Sequence, residues 1–196
     1  MAKITFTKED KINSIKTPLI LFAICFVSVA LLAVINKVTV GPIAENEEKA
    51  AYAAMETVLP AAAYVPVTAP EIQGDCTVSR VCAALDENGE VMGYCISIGK
   101  IGYKNFISAM VAVSMDASTL FGVDIVSQNE TPGLGSKILK EEFLNQFFDV
   151  ATPITGNVDT ISGATVSSST VVSIVDTAVA CVADHAQSWE KEVASK

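Results

Sequence analysis

The chain has 196 residues, 51% of them hydrophobic and 18% charged, with 13 Lys and Arg against 22 Asp and Glu. That length suits one domain with an appendage and excludes a large multidomain enzyme. A mean hydropathy of +0.44 beside a pI near 4.5 points to one apolar segment in an otherwise acidic chain. The same acidity leaves no basic patch for nucleic acid, and that class of partner is excluded.

The apolar segment is Pro18 to Ile35, 18 positions in which Ser28 is the only polar residue. As a helix it covers roughly 27 Å, close to the ~30 Å hydrocarbon core of a bilayer, and Val38 to Val40 extend it. Core helices are rarely apolar on every face for this long. The run also continues past the small residues Ser28-Val29-Ala30, as a retained anchor does and a cleaved signal peptide does not. Lys3, Lys8, Lys11 and Lys16 precede it, whereas Lys37 and Lys49 follow it beside Glu45, Glu47 and Glu48. The positive-inside rule then predicts a single-pass protein of the cell membrane, embedded in lipid, with a cytoplasmic N-terminus and an extracytoplasmic C-terminal part. That part holds 9 basic and 20 acidic residues, a net charge of about −11. The expected division is a cytoplasmic N-terminus over 1–16, a transmembrane helix over 17–38, a helical then Pro-rich connector over 39–70, and an extracytoplasmic domain over 71–196.

Within the connector, residues 44–58 (AENEEKAAYAAMETV) read as a helix closed by Pro60. Strand signals follow over Cys76 to Leu85 and Glu90 to Ile98, with Asn88-Gly89 as a hairpin turn between them. A second pair spans Phe106 to Met115 and Leu120 to Gln128, joined through Asp116-Ala117-Ser118. After the breaker-rich Glu130-Thr131-Pro132-Gly133-Leu134-Gly135, Ser136 to Phe148 reads as a short helix with Ser136 as its N-cap. Leu139, Phe143 and Phe147 recur there every fourth residue. A last helix is expected from the DTISGAT segment to about Ala186, with Val171, Val175, Val179 and Val182 along one stripe. This order predicts an α+β fold: one N-terminal transmembrane helix, then a small antiparallel sheet packed with helices.

The five cysteines are Cys25, Cys76, Cys82, Cys95 and Cys181, with no C-x-x-C and a single His185. No zinc or iron–sulfur site is expected from this chain alone. Pairings among the four cysteines outside the span stay open at this level, small buried thiols being an equally good reading.

The segment richest in chemistry is Asp159 to Thr170, DTISGATVSSST. Small residues and hydroxyls crowd a helix entrance, where unpaired N–H groups and the helix dipole favour an anion. Gly163 and Ala164 let a phosphate come close to the backbone. A common Ser/Thr-rich cap accounts for the same residues, so taken alone they leave both readings open.

Asp159-x-x-Ser162-Gly163-Ala164-Thr165 resembles the D-x-x-(S/T)-G-A-T flavinylation motif of exported FMN-binding domains. The resemblance implies FMN as cofactor, joined through its phosphate to the Thr165 hydroxyl by a flavin transferase that recognises Asp159, Ser162, Gly163, Ala164 and Thr165. Glu130 to Gly135, ETPGLG, resembles a second hallmark of that family, with Gln128-Asn129 where a His is often found just upstream. Gly99-Lys100-x-Gly102-Tyr103 is similar to its glycine-rich turn, with Ile101 as an extra residue. With one N-terminal span, the whole chain resembles the RnfG family, the G subunits of Rnf complexes, which are ion-translocating ferredoxin:NAD oxidoreductases that move Na⁺ or H⁺. The related C subunits of the Na⁺-translocating NADH:quinone reductase, usually longer chains, share the span and the motif and are the alternative reading within this resemblance.

The resemblance implies a non-autonomous flavoprotein that relays electrons beside other membrane subunits, one of them a second covalent-flavin protein. Site residues follow from it. Thr165 carries the flavin; Ser162, Gly163 and Ala164 surround its phosphate; Ser167 and Ser168 donate to the phosphate from the first helical turn or merely face a neighbour; Glu130, Thr131, Gly133 and Leu134 lie against the ring. Lys137 meets the phosphate or is a solvated helix lysine. Tyr103 stacks on the flavin or, as the stronger expectation for a lone Tyr beside a strand, packs in the core. No catalytic residue beyond the flavin is expected. A non-redox exported binding or scaffold module, its hydroxyl-rich cap purely structural, is the alternative of a different class.

Overall fold

The computed structural model describes residues 8–195. The first seven residues of the expected cytoplasmic N-terminus, Lys3 among them, lie outside the described residues. The chain divides into two compact units, residues 1–48 and 49–196, and helix α1 (Lys8–Val58) begins in the first and ends in the second. Every described side chain from Pro18 to Ala50 is exposed. Leu19, Phe22, Phe26 and Leu31 thus face outward on an apolar helix long enough to cross a membrane. Ser28, the one polar residue of the run, donates its hydroxyl to the Ile24 carbonyl at 2.9 Å, so its hydroxyl proton is not left unpaired against hydrocarbon. Residues 39–58 continue the same helix. It stops just before Pro60, whose nitrogen has no hydrogen to give to another turn.

The second unit is built on a seven-stranded antiparallel sheet. Its strands are β1 (Ala63–Val67), β2 (Ile72–Gln73), β3 (Cys76–Leu85), β4 (Val91–Ile101), β5 (Phe106–Ser114), β6 (Thr119–Gln128) and β7 (Val150–Ala151). The order is β1-β3-β4-β5-β6-β7, with β2 paired to β3. Both expected hairpins form. In the β3–β4 turn Asp86 Oδ1 accepts the amides of Asn88 at 2.9 Å and Glu90 at 2.8 Å, and Gly89 takes a φ of 82° that a side chain would resist.

Alternation along the central strands divides the core between two faces. On one face, Val81, Ala83, Tyr94, Ile96, Ile98, Ala109, Val111 and Val113 pack with helix α3 (Thr165–Ala194). The helix contributes Val171, Ile174, Val175, Ala178, Cys181 and Val182, and full burial of each Val or Ile is worth about 1.5–3 kcal/mol. On the other face, Cys82, Ala84, Cys95, Met110 and Ala112 lie under Ala51, Ala54, Met55 and Val58 from the end of α1. α3 runs beyond the expected Ala186 because its C-terminal turns are anchored. Trp189 is buried, donates Nε1–H to the Thr68 carbonyl at 2.8 Å and packs on Tyr94.

The helix expected over Ser136–Phe148 breaks into a 3₁₀ turn (Gly135–Leu139), the single turn α2 (Glu141–Leu144) and a second 3₁₀ turn (Asn145–Phe147). Two facts explain it. Ser136 caps no helix, because its Oγ accepts the Gly133 amide at 2.8 Å and serves the preceding loop. Lys140 then takes an extended ψ of 138°, interrupting the helix. The apolar spacing still works: Phe143 and Phe147 are buried edge to face, with ring centroids 5.2 Å apart, while Leu139 points outward.

Candidate functional site

The two motif-bearing segments meet in space. A pocket of about 370 Å³ is lined by Tyr103, Glu130, Thr131, Leu134, Gly135, Gly163, Ala164, Thr165, Val166 and Ser167. One wall is the first turn of α3, and the other is the ETPGLG loop leaving β6.

The start of α3 has no side-chain cap. Ala164 occupies the N-cap position, with φ −136° and ψ 30°, and no side chain bonds to the first amides. The Ala164 amide is paired to the Ile161 carbonyl at 2.9 Å, and the first intrahelical bond runs from the Ser168 amide to the Ala164 carbonyl at 2.9 Å. The amides of Thr165, Val166 and Ser167 are the donors that a helix start leaves over, directed where the dipole favours negative charge. Gly163, at φ 78°, turns the chain into this start, and a Cβ there would meet only Leu134 Cδ2 at 3.8 Å. Thr165 and Gly163 are exposed at the mouth, whereas Ala164 is buried.

Glu130 joins the walls. Only 4% exposed, its carboxylate accepts the Ser167 hydroxyl at 2.9 Å through Oε2, and the amides of Lys104 at 3.1 Å and Asn105 at 3.2 Å through Oε1. Burial opposes its charge, but the Asn105 and Lys104 amides and the Ser167 hydroxyl more than offset it, holding the carboxyl below the usual glutamate range. The glycines around it leave no room for a side chain. A Cβ on Gly102 would lie 2.6 Å from Glu130 Oε1, and one on Gly135 would lie 2.7 Å from Glu130 Cβ and 2.8 Å from Ser167 Oγ. The β4–β5 turn, the ETPGLG loop and α3 therefore close around one buried carboxylate.

The other residues singled out from the sequence fall in different places. Ser168 is fully buried and turned back, donating to the Ala164 carbonyl at 2.9 Å while its Oγ accepts the Ile161 amide at 3.2 Å. Ser162 and Lys137 line a neighbouring pocket of about 390 Å³ with Lys140, Glu142, Phe143, Gln146 and Ile161. Gly133 is exposed at φ 76°, shaping the loop without lining the pocket. Asp159 is held through its backbone, its amide donating to Gln146 Oε1 at 2.7 Å. Tyr103 corrects the expectation of core packing: it is 72% exposed at the rim, because the glycine-rich turn projects beyond the sheet. Val166 and Gly135, not singled out from the sequence, also line the pocket. Leu134, Tyr103 and Val166 give the pocket an apolar lining beside the polar helix start. A hydroxyl at the mouth, an uncapped helix start and an exposed apolar wall fit an aromatic cofactor with a phosphate tail.

Comparison with known proteins decides the family. Residues 102–180 match the model of the FMN-binding domain, and residues 7–58 match the RnfG N-terminal region. The G subunit of the ion-translocating oxidoreductase complex of Methanosarcina acetivorans is 34% identical over 179 residues, covering 87% of this chain and 95% of that protein. The chain belongs to the RnfG family, the G subunits of ion-translocating oxidoreductase complexes. The G subunit of the Na⁺-translocating ferredoxin:NAD⁺ oxidoreductase complex of Acetobacterium woodii is 34% identical over 132 residues, 62% of this chain and 63% of that one. A crystal structure of Shewanella oneidensis NqrC superposes with a TM-score of 0.48 at 20% identity, over 60% of this chain and 62% of that one. The FMN-binding domain of this family member contains both pocket walls, from Gly102 to beyond Ser167.

Proposed function

We propose that this family member is a membrane-anchored electron carrier, with FMN joined to the Thr165 hydroxyl through a phosphoester, within a ferredoxin:NAD⁺ oxidoreductase that translocates Na⁺ or H⁺. The observation that carries the reading is the position of Thr165: an exposed hydroxyl on the first turn of an uncapped helix, at the mouth of a pocket with an apolar wall. The amides of Thr165, Val166 and Ser167 would hold the phosphate, and an anion at such a helix start gains about 0.3–1 kcal/mol. Thr131 and Leu134 would face the ring, with Tyr103 and Val166 at its border. Bound there, the flavin supplies one- and two-electron chemistry, and the protein supplies position and electrostatics. Glu130 has both oxygens engaged by protein donors, and its role is to hold the walls together.

In this reading the N-terminus is cytoplasmic and the FMN domain lies on the extracytoplasmic side, where the covalent link prevents loss of a cofactor that is hard to replace. A flavin transferase matures the protein by way of the Asp159–Thr165 motif. Its partners are the other membrane subunits of the complex, including a second covalent-flavin protein, with lipid around α1. The test is co-expression with a flavin transferase, followed by intact mass and in-gel fluorescence after denaturation. The wild type gains one FMN minus water, Thr165→Val gains nothing and Thr165→Ser is still labelled. An unmodified wild type beside a labelled control acceptor refutes the covalent assignment.

A further inference from the structure

Cys82 on β3 and Cys95 on β4 are direct cross-strand partners. Directly opposed residues of an antiparallel pair have Cα atoms about 4.5 or 5.5 Å apart, inside the ~4.4–6.8 Å span a disulfide bridges. Both side chains emerge on the same face of the sheet, in the cluster of Ala84, Met110 and Ala112, and both are buried and stand as thiols in this structure. The other cysteines are placed differently. Cys76 lies six residues from Cys82 on one strand, roughly 20 Å along it, too far for a bond. Cys76 and Cys181 both belong to the core on the opposite face, where the Cys76 thiol lies 3.6 Å from Thr177 Oγ1.

We propose that Cys82 and Cys95 form a disulfide that staples β3 to β4, closed during folding before the end of α1 settles over them. The order follows from burial. In the folded domain Ala51, Ala54, Met55 and Val58 cover this face, and burial, with Cys82 alongside, pushes the Cys95 thiol up to about 12. Exchange requires a thiolate, which the covered site disfavours, so the bond closes while the face is open and is then shielded. The oxidant is a low-molecular-weight disulfide. One cysteine thiolate attacks it, releasing one small thiol and leaving a mixed disulfide; the second then displaces the other small thiol. The two cysteines lose two protons and two electrons, and the small disulfide is reduced to two thiols. This pairing is independent of the flavin reading.

The full chain in detergent is unfolded, refolded in a glutathione redox buffer, quenched in acid, alkylated and digested. Trypsin releases Val81–Lys100 with both cysteines on one peptide. Cleavage at Glu87 and Glu90 then separates them unless a disulfide holds the fragments together. The expected major species is this pair, two hydrogens lighter and free of alkylation, with Cys76 and Cys181 alkylated. A Cys76→Ala/Cys181→Ala variant keeps the crosslink. Full alkylation of Cys82 and Cys95 after oxidative refolding, or a bond from either to Cys76 or Cys181, overturns the proposal.

Discussion

Ser167 Oγ donates to Glu130 Oε2 at 2.9 Å, both side chains buried, and this bond ties the first turn of α3 to the loop that faces it across the pocket. Glu130→Ala removes the acceptor of that hydroxyl and of the Lys104 and Asn105 amides. The buried Ser167 hydroxyl left without an acceptor costs about 1–3 kcal/mol, and the Lys104 and Asn105 amides, on exposed residues, add a smaller loss, so the variant's melting temperature should fall below that of the wild type. Ser167→Ala removes one donor and leaves the two amide bonds, so its loss should be the smaller of the two. Thermal unfolding of both flavin-free variants checks the order; equal losses would mean that Ser167 carries the whole effect.

The same carboxylate makes stability depend on pH with a definite sign. Its folded pKa is depressed, so its contribution is complete above the unfolded glutamate value near 4.5 and is lost as pH falls through the lower folded value. Asp116 repeats the pattern in the β5–β6 turn. The Ser114 and Ser118 hydroxyls and the Ser118 amide hold it at about 2. The melting-temperature difference between wild type and Asp116→Asn should be constant above about pH 5 and shrink toward zero near pH 2. A difference that does not change with pH refutes the Asp116 assignment.

Gly102 and Gly133 separate two reasons for having glycine. Gly102→Ala drives a Cβ to 2.6 Å from Glu130 Oε1 and 2.7 Å from Ile107 Cδ1, an overpacking expected to cost about 1–3 kcal/mol and to disturb the carboxylate network. Gly133→Ala meets no atom within 4 Å but must hold φ at 76°, a strain of about 1–2 kcal/mol confined to the loop. Thermal unfolding gives each cost, and combining each variant with Ser167→Ala locates it. Gly102→Ala should be non-additive with Ser167→Ala, and Gly133→Ala additive.

The membrane-length helix, both hairpins and the α3 stripe are legible in the sequence because each is a local pattern. Eighteen positions without a charge, an Asn-Gly turn and a run of valines every third or fourth residue need no tertiary contact to be read. The breaks in the helix over Ser136–Phe148 are not legible, because they depend on Ser136 serving Gly133, a contact that spacing does not reveal. Glu130 is legible as part of a motif but not as the hub of the pocket, since its partners Lys104, Asn105 and Ser167 lie 25 to 37 residues away. Tyr103 reads as a core residue because a Tyr beside a strand usually is one. Its exposure comes from the turn that Gly102 forms around Glu130.

Ala164 at the N-cap of α3 gives the strongest link between stability and cofactor binding. A Ser at this position would accept an amide from Val166 or Ser167 and stabilise the helix, an Ala-to-Ser cap change being worth about 0.5–2 kcal/mol. The same bond occupies a donor that the proposed phosphate would use. Ala164→Ser should therefore melt higher than the wild type without flavin and take up FMN more slowly from the transferase. Melting of the flavin-free protein isolates the capping effect, because no transferase takes part in it. A variant that melts no higher would mean that the helix start is already satisfied in the flavin-free protein.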